Sequence, residues 1–297
     1  MLETIRQFAE ERLIASGLAE EVSAGHARHF AGREADILAV WDSPRQRAAY
    51  DWFASELANL RAAFRFAADR GDLDAAATIA TYAPFLGTEV GNYEPFAWAE
   101  ELIEQARAVD HPRLAALYTM ASRCFMTGRI EQAVRYSDAG RNLIPSNSRD
   151  VPFGAVEWLG GSYLAIGQPE WIVDLCRAEL RRGRDTHAVI ASTLAIALAM
   201  AGSADDAIAA TSGLIDAAEA TRNPCTLSYA LFAYGYVWLG TEPALARDAL
   251  RRGIGIARES SSPGESHPRA LTEPCVTVSR YTARAVLIIS GWVTHSQ

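Results

Sequence analysis

One absent side chain limits the chemistry open to this 297-residue sequence: all 28 of its Lys+Arg residues are arginine. Without lysine there is no P-loop grip on phosphate, no Schiff base and no Ser–Lys nucleophile pair, so Walker-type nucleotide hydrolysis is excluded for this chain alone. His26 and His29 stand one helical turn apart and could share a metal. A zinc site needs two more ligands, and no Cys or carboxylate stands at a spacing that supplies them. The pair reads as packed or capping. Cys124, Cys176, Cys225 and Cys275 lie far apart with no Cys-x-x-Cys pair, which fits buried thiols in a reducing cytoplasm better than a disulfide frame. Glu100, Glu101 and Glu104 line one helical face without a His or a second carboxylate layer, and read as solvated. Asp205-Asp206 open a helix, where acidic residues complement the dipole. No Gly-x-Ser-x-Gly, His-Glu-x-x-His or Gly-x-Gly-x-x-Gly element occurs. The expectation is a non-enzymatic chain with no catalytic residue, no metal and no cofactor.

Binding chemistry is better represented. Arg177, Arg181, Arg182 and Arg184 form one cluster, and Arg247, Arg251, Arg252 and Arg258 another, each near a helix end where cations suit the dipole. They could grip an acidic peptide or phosphate, with Arg181, Arg182, Arg251 and Arg252 as the contacts, or be solvated faces. The net charge of −8 argues against a sequence-independent grip on nucleic acid, and no direct nucleic-acid binding is expected.

The elements that must position these residues are helical. Apolar residues make up 49% of the chain, alanine dominates, and β-branched clusters are rare before the last quarter. Leu2, Ile5, Phe8, Ala9 and Leu13 form an apolar stripe from the first residues, a finished face in want of a partner surface. A second helical stretch carries Leu18, Val22, His26 and Phe30. The clearest helix has Tyr50, Phe53, Leu57, Leu60, Phe64 and Ala67 at steps of three and four, and stops at Gly71, where a left-handed cap belongs. That punctuation returns at Gly128, Gly167, Gly202 and Gly240, at intervals of 39, 35 and 38 residues. Such a period means stacked helix pairs, each too thin to bury its own apolar side.

Leu114 to Pro145 resembles a tetratricopeptide repeat: Leu117 early, small Ala121, Cys124 in the aromatic slot, Gly128 at the turn, then Ala133, Gly140 and Pro145. The next units are degenerate: Gly160, Tyr163 and Gly167 with a bulky Ile172, then Ala195, Leu198, Gly202 and Ala207, then Ala233, Tyr236 and Gly240. The expected fold is all-α, a right-handed superhelix of tetratricopeptide-like helix pairs. By that alignment Tyr118, Ser122, Glu157, Tyr234 and Trp238 project into the concave groove. There they could anchor a protein or a small effector, or pack one repeat on the next. Prolines and serines after Glu259, then a β-prone apolar run, mark an irregular tail. Its apolar core, Ala285 to Ile289, is too short to span a bilayer, and a cytoplasmic protein is expected.

Three blocks in order carry a family resemblance: Leu2 to Leu13, then His26-Ala27-Arg28-His29-Phe30, then Glu56 to Phe64 with Glu56, Asn59 and Arg61. They resemble the region that follows the nucleotide-binding core in actinobacterial STAND-class regulators of the LuxR type, and in relatives fused to adenylate cyclase. The resemblance covers roughly residues 1 to 255. It implies that residues 1–35 are the last helix of a winged-helix-like segment plus a connecting helix. Residues 36–259 would be the helical repeat domain, and 260–297 an irregular or disordered tail. It further implies a sensor or interaction module of a transcriptional regulator, here without the ATPase or the DNA-binding domain and so either acting in trans or a truncated remnant; the alternative is a free-standing tetratricopeptide adaptor between proteins.

Overall fold

Gln46–Asp69 (α3) shows the apolar spacing turning into structure. Tyr50, Phe53, Leu60, Phe64 and Ala67 are buried on one stripe, Leu57 is half-buried, and Asp51, Ser55, Asn59 and Arg65 face outward. Burying Phe53 or Phe64 completely is worth roughly 1.5–3 kcal/mol each. The helix closes at Gly71, whose φ of 72° lets the Gly71 and Asp72 amides donate back to Ala68 O (3.1 Å) and Ala67 O (2.9 Å). Asp72 then caps the next helix by accepting from the Ala75 amide at 3.2 Å. The computed structural model describes residues 8, 11–143 and 151–260; among these there are helices and no strand. The expectations for Leu2, Ile5 and Ala9, for Pro145, and for residues 261–297 lie outside the described residues.

Leu73–Glu89 (α4) is buried almost all round, as a central helix must be. Ala19–Gly32 (α1), Glu34–Trp41 (α2), α3 and Glu94–Ala108 (α5) pack around it. Tyr82 on α4 donates its hydroxyl to Phe30 O at 2.7 Å and so ties the end of α1 into this core. The chain breaks between α1 and α2 at Arg33.

Beyond α5 the chain runs as helix pairs. Leu114–Ala121 (α6) tightens into a 3-10 turn over Ser122–Thr127 and pairs with Ile130–Arg141 (α7). A second 3-10 segment, Pro152–Gly160, leads into Gly161–Ala165 (α8) and packs on Pro169–Arg181 (α9). Val189–Met200 (α10) is followed by Ala204–Ala210 (α11) and Leu214–Ala220 (α12), and Pro224–Trp238 (α13) pairs with Pro243–Ser260 (α14). Gly128, Gly167 and Gly202 take left-handed φ at their turns. Gly240 does not; there the Thr241 and Glu242 amides both donate to Trp238 O.

Small and large residues are matched across the pairs. A Cβ on Gly160 would sit 2.1 Å from Ile172 Cδ1, so the bulky Ile172 of the second unit is accommodated by a glycine opposite it. Gly235 makes the same room for Leu250. The acidic face of α5 is spent on its neighbours: Glu100 accepts a two-pronged bond from Arg129, Glu101 pairs with Arg65, and Glu94 takes both prongs of Arg61 at 2.6 Å. The Arg61–Glu94 and Arg65–Glu101 pairs are about half exposed and each contributes about 0–1 kcal/mol, while Glu100 is mostly buried.

Contacts also join parts of the chain far apart in sequence. Gln46 and Asn223, both fully buried, form a polar clasp between the start of α3 and the start of α13. Gln46 Nε2 donates to Asn223 Oδ1 (2.9 Å) and Trp41 O (3.2 Å), while Gln46 Oε1 accepts from the Cys225 amide (3.1 Å). Asn223 Nδ2 donates to Trp41 O (3.3 Å) and Asp42 Oδ1 (3.2 Å), and Oδ1 also accepts from the Thr226 amide (3.1 Å). His187 Nε2 lies 3.0 Å from Asp42 Oδ2. The last helix pairs are thereby fastened to the first helices. No helix among the described residues is long and apolar enough to cross a membrane.

Candidate functional site

Faces of these helices and 3-10 segments line a cavity of about 410 Å³. Trp41 comes from α2; Phe85, Thr88 and Glu89 from α4; Arg123 and Phe125 from the first 3-10 segment. Phe153, Ala155, Glu157 and Trp158 come from the second 3-10 segment, Thr193 and Ile196 from α10, and Thr226, Tyr229, Phe232 and Tyr236 from α13. Ala165 and Met200 line it too and are exposed, so they mark its mouth. The aromatic wall is continuous. Trp41 stacks on Phe153 and meets Phe85 edge-on, both at 4.7 Å, and Phe85 stacks on Trp158 at 5.6 Å.

Few polar groups interrupt that wall. Glu157 is 6% exposed and its Oε2 has no hydrogen-bond partner among the described residues; the same holds for Thr226 Oγ1. Burial pushes the Glu157 carboxyl up to about 8, against the opposing pull of Arg123 and of the Glu157 and Trp158 backbone amides. The Arg123 guanidinium lies over the Trp158 ring at 4.7 Å and the Phe125 ring at 5.3 Å. Tyr229 and Thr193 share a hydroxyl hydrogen bond at 2.9 Å, and burial raises the Tyr229 phenol well above its usual range. Cys225 Sγ faces Glu89 Oε2 at 3.7 Å.

The backbone here is unusual. Among the described residues four non-glycines take positive φ, and three border this region: Phe153 (46°) in the wall, Ala188 (55°) before the lining residue Val189, and Arg222 (56°) beside the clasp. Such conformations cost of order 1–3 kcal/mol each and persist only where the surroundings over-determine them. Two of the helical runs that line the cavity tighten to 3-10 geometry, Ser122–Thr127 and Pro152–Gly160.

Of the five residues expected on the concave face, Glu157 lines the cavity. Tyr118 is buried against Tyr136 and Gly140, and Ser122 donates to Thr119 O (2.7 Å) and Trp158 O (3.4 Å); both hold neighbouring helices together. Tyr234 packs on Trp238 at 5.8 Å, and Trp238 Nε1 donates to Thr211 Oγ1 at 3.1 Å, away from the cavity. Tyr229, Phe232 and Tyr236 share the inward stripe of α13 at steps of three and four, and Tyr234 and Trp238 fall on another. Arg182 and Arg184 both pair with the buried Glu179, Arg177 pairs with Asp206 and Arg252 with Glu219, while Arg181 and Arg251 are exposed. His26 and His29 both pack on the Phe30 ring, at 4.8 and 5.2 Å. Among the described residues no three His, Cys, Asp or Glu side chains converge as a metal set.

Sequence reasoning missed Trp41, Phe85, Arg123, Phe153, Thr226 and Tyr229. Arg123 carried a legible signal: a lone cation between Ala121 and Cys124-Phe125, in an otherwise apolar stretch. No protein-family model matches the sequence, and no curated protein matches it either.

Proposed function

We propose that this chain is the effector-sensing module of a STAND-type, LuxR-like transcriptional regulator, cytoplasmic and non-catalytic. Its tetratricopeptide-like helix pairs wind into a superhelix whose concave side is closed into a small-molecule cavity. The observation that carries this reading is the cavity itself: about 410 Å³, walled by aromatic rings, with a few polar groups set into the wall. That volume and make-up suit a small ligand. A peptide-bridging adaptor needs an open groove, and the Gln46–Asn223 clasp draws the ends of the helical array together where that groove would lie. The remaining support is the spacing of the turn glycines and the resemblance of residues 1–255.

As a switch, occupancy would favour the closed arrangement over one with the clasp released, and a ligand moves that balance only by its difference in affinity for the two. In a complete regulator the balance would bias an ATPase. The test is titration with the neutral fluorophore Nile red. Wild type should bind one equivalent saturably. Ala155→Phe, which fills the cavity, and Ala165→Trp, which blocks its mouth, should each weaken binding at least tenfold. Unchanged binding in both variants, or no binding to wild type, would remove the cavity as the functional site.

A further inference from the structure

The wall of the cavity carries information about its ligand, and the following step rests on the cavity being the binding site. We propose that it takes an organic ammonium ion: a protonated amine on an aromatic or alicyclic skeleton, with its N–H groups on the Glu157 carboxylate and its hydrocarbon against the rings. Three observations converge on that chemistry.

The first is an unanswered acceptor. Glu157 is more than nine-tenths buried, lines the cavity, and leaves Oε2 without a hydrogen-bond partner among the described residues. Buried polar atoms are nearly always satisfied, and leaving a charged one unmet costs more than a neutral one. Thr226 Oγ1, also in the wall and also unmet, adds a second acceptor. The second is charge. Two carboxylates, Glu157 and Glu89, line the cavity against the single guanidinium of Arg123, and that cation already lies over the Trp158 and Phe125 rings. An anionic ligand would have to keep Glu157 in its neutral form, whereas a cation lets it ionise. The third is the aromatic surface: Trp41, Phe85, Phe153 and Tyr229 line the cavity, and aromatic rings attract ammonium groups in desolvated sites.

The protonation balance follows. In the free protein, burial holds Glu157 largely as the neutral acid at pH 7, with Arg123, Asp185, Tyr229 and Cys176 as the titratable and charged groups that act on it or respond to it. An entering ammonium ion brings its own positive charge, the carboxyl O–H bond breaks, and the proton passes to bulk buffer. Close to one proton should be released per cation bound.

The experiment compares three probes of one shape on the full chain: 1-naphthylethylamine, 2-(1-naphthyl)ethanol and 1-naphthylacetate. Each displaces Nile red, and calorimetry in phosphate and in Tris at pH 7 counts protons. The amine should bind at least tenfold more tightly than the alcohol, the carboxylate should bind weakest, and only the amine should release a proton. Glu157→Gln, which keeps shape and mimics the neutral acid, should still bind the alcohol, lose the amine preference and release no proton. An alcohol as tight as the amine, a carboxylate tighter than both, or an amine preference that survives E157Q each overturns the proposal while leaving the cavity as a binding site. Failure of Nile red and all three probes to bind at the cavity would overturn the underlying reading as well.

Discussion

Removing one buried side chain should release the clasp between the starts of α3 and α13. In Asn223→Ala the protein loses four hydrogen bonds: those accepted from Gln46 Nε2 and the Thr226 amide, and those donated to Trp41 O and Asp42 Oδ1. At about 1 kcal/mol net per bond the loss is about 4 kcal/mol, and it includes the N-cap of α13, itself worth about 1 kcal/mol. Trp41 O keeps Gln46 Nε2 as a donor, which brings the expected cost down to about 3 kcal/mol. For a domain of this size that lowers the melting temperature by roughly 6–12 °C. Urea unfolding of wild type, N223A, Q46A and the double variant supplies the measurement. Because the two amides bond each other, the double variant should cost at least about 1 kcal/mol less than the sum of the singles. Amide exchange should rise first in residues 223–227 and near Asp42. A loss under 1 kcal/mol for N223A, or strict additivity with Q46A, would mean that the clasp does not hold the ends of the helical array together.

Two further outcomes test the wall and the packing beneath it. Glu157 titrates near 8 in the folded chain against 4.5 when exposed, so between those values unfolding releases a proton and stability falls as pH rises, by up to about 1.4 kcal/mol per pH unit. The stabilising contribution is fully present below pH 4.5 and is lost through pH 8; E157Q should lack this slope, and parallel urea midpoints for the two proteins from pH 5 to 8 would count against a buried neutral carboxyl. Gly160→Ala should destabilise by about 1–3 kcal/mol because its Cβ meets Ile172 2.1 Å away, although φ at this residue is an ordinary −81°. Adding Ile172→Ala should make G160A less costly than it is alone; equal penalties in both backgrounds would contradict the fit.

The helices and their turns were legible because helix formation is local. Apolar residues at three- and four-residue steps and glycines at left-handed turns are visible within a window of a dozen residues, and α3 with Gly71 shows both. The absence of lysine was equally plain, and with it the loss of several chemistries. Glu157 could be singled out by aligning its segment to a repeat pattern. Its neighbours across the cavity could not, since Trp41, Phe85, Phe153 and Tyr229 come from four elements spread over 189 positions. Repeat alignment chose Tyr234 and Trp238 on α13, while Tyr229, Phe232 and Tyr236 face inward. The rotation of that helix is set by Gly235 admitting Leu250 and by Asn223 reaching Gln46, neither of which is a local pattern. Local hydrogen bonding makes helices, and sequence alone determined that much. Whether their inner faces lie open or close on a cavity depends on how small and large residues interlock across pairs, and on one buried amide pair 177 residues apart; only the tertiary structure decided it.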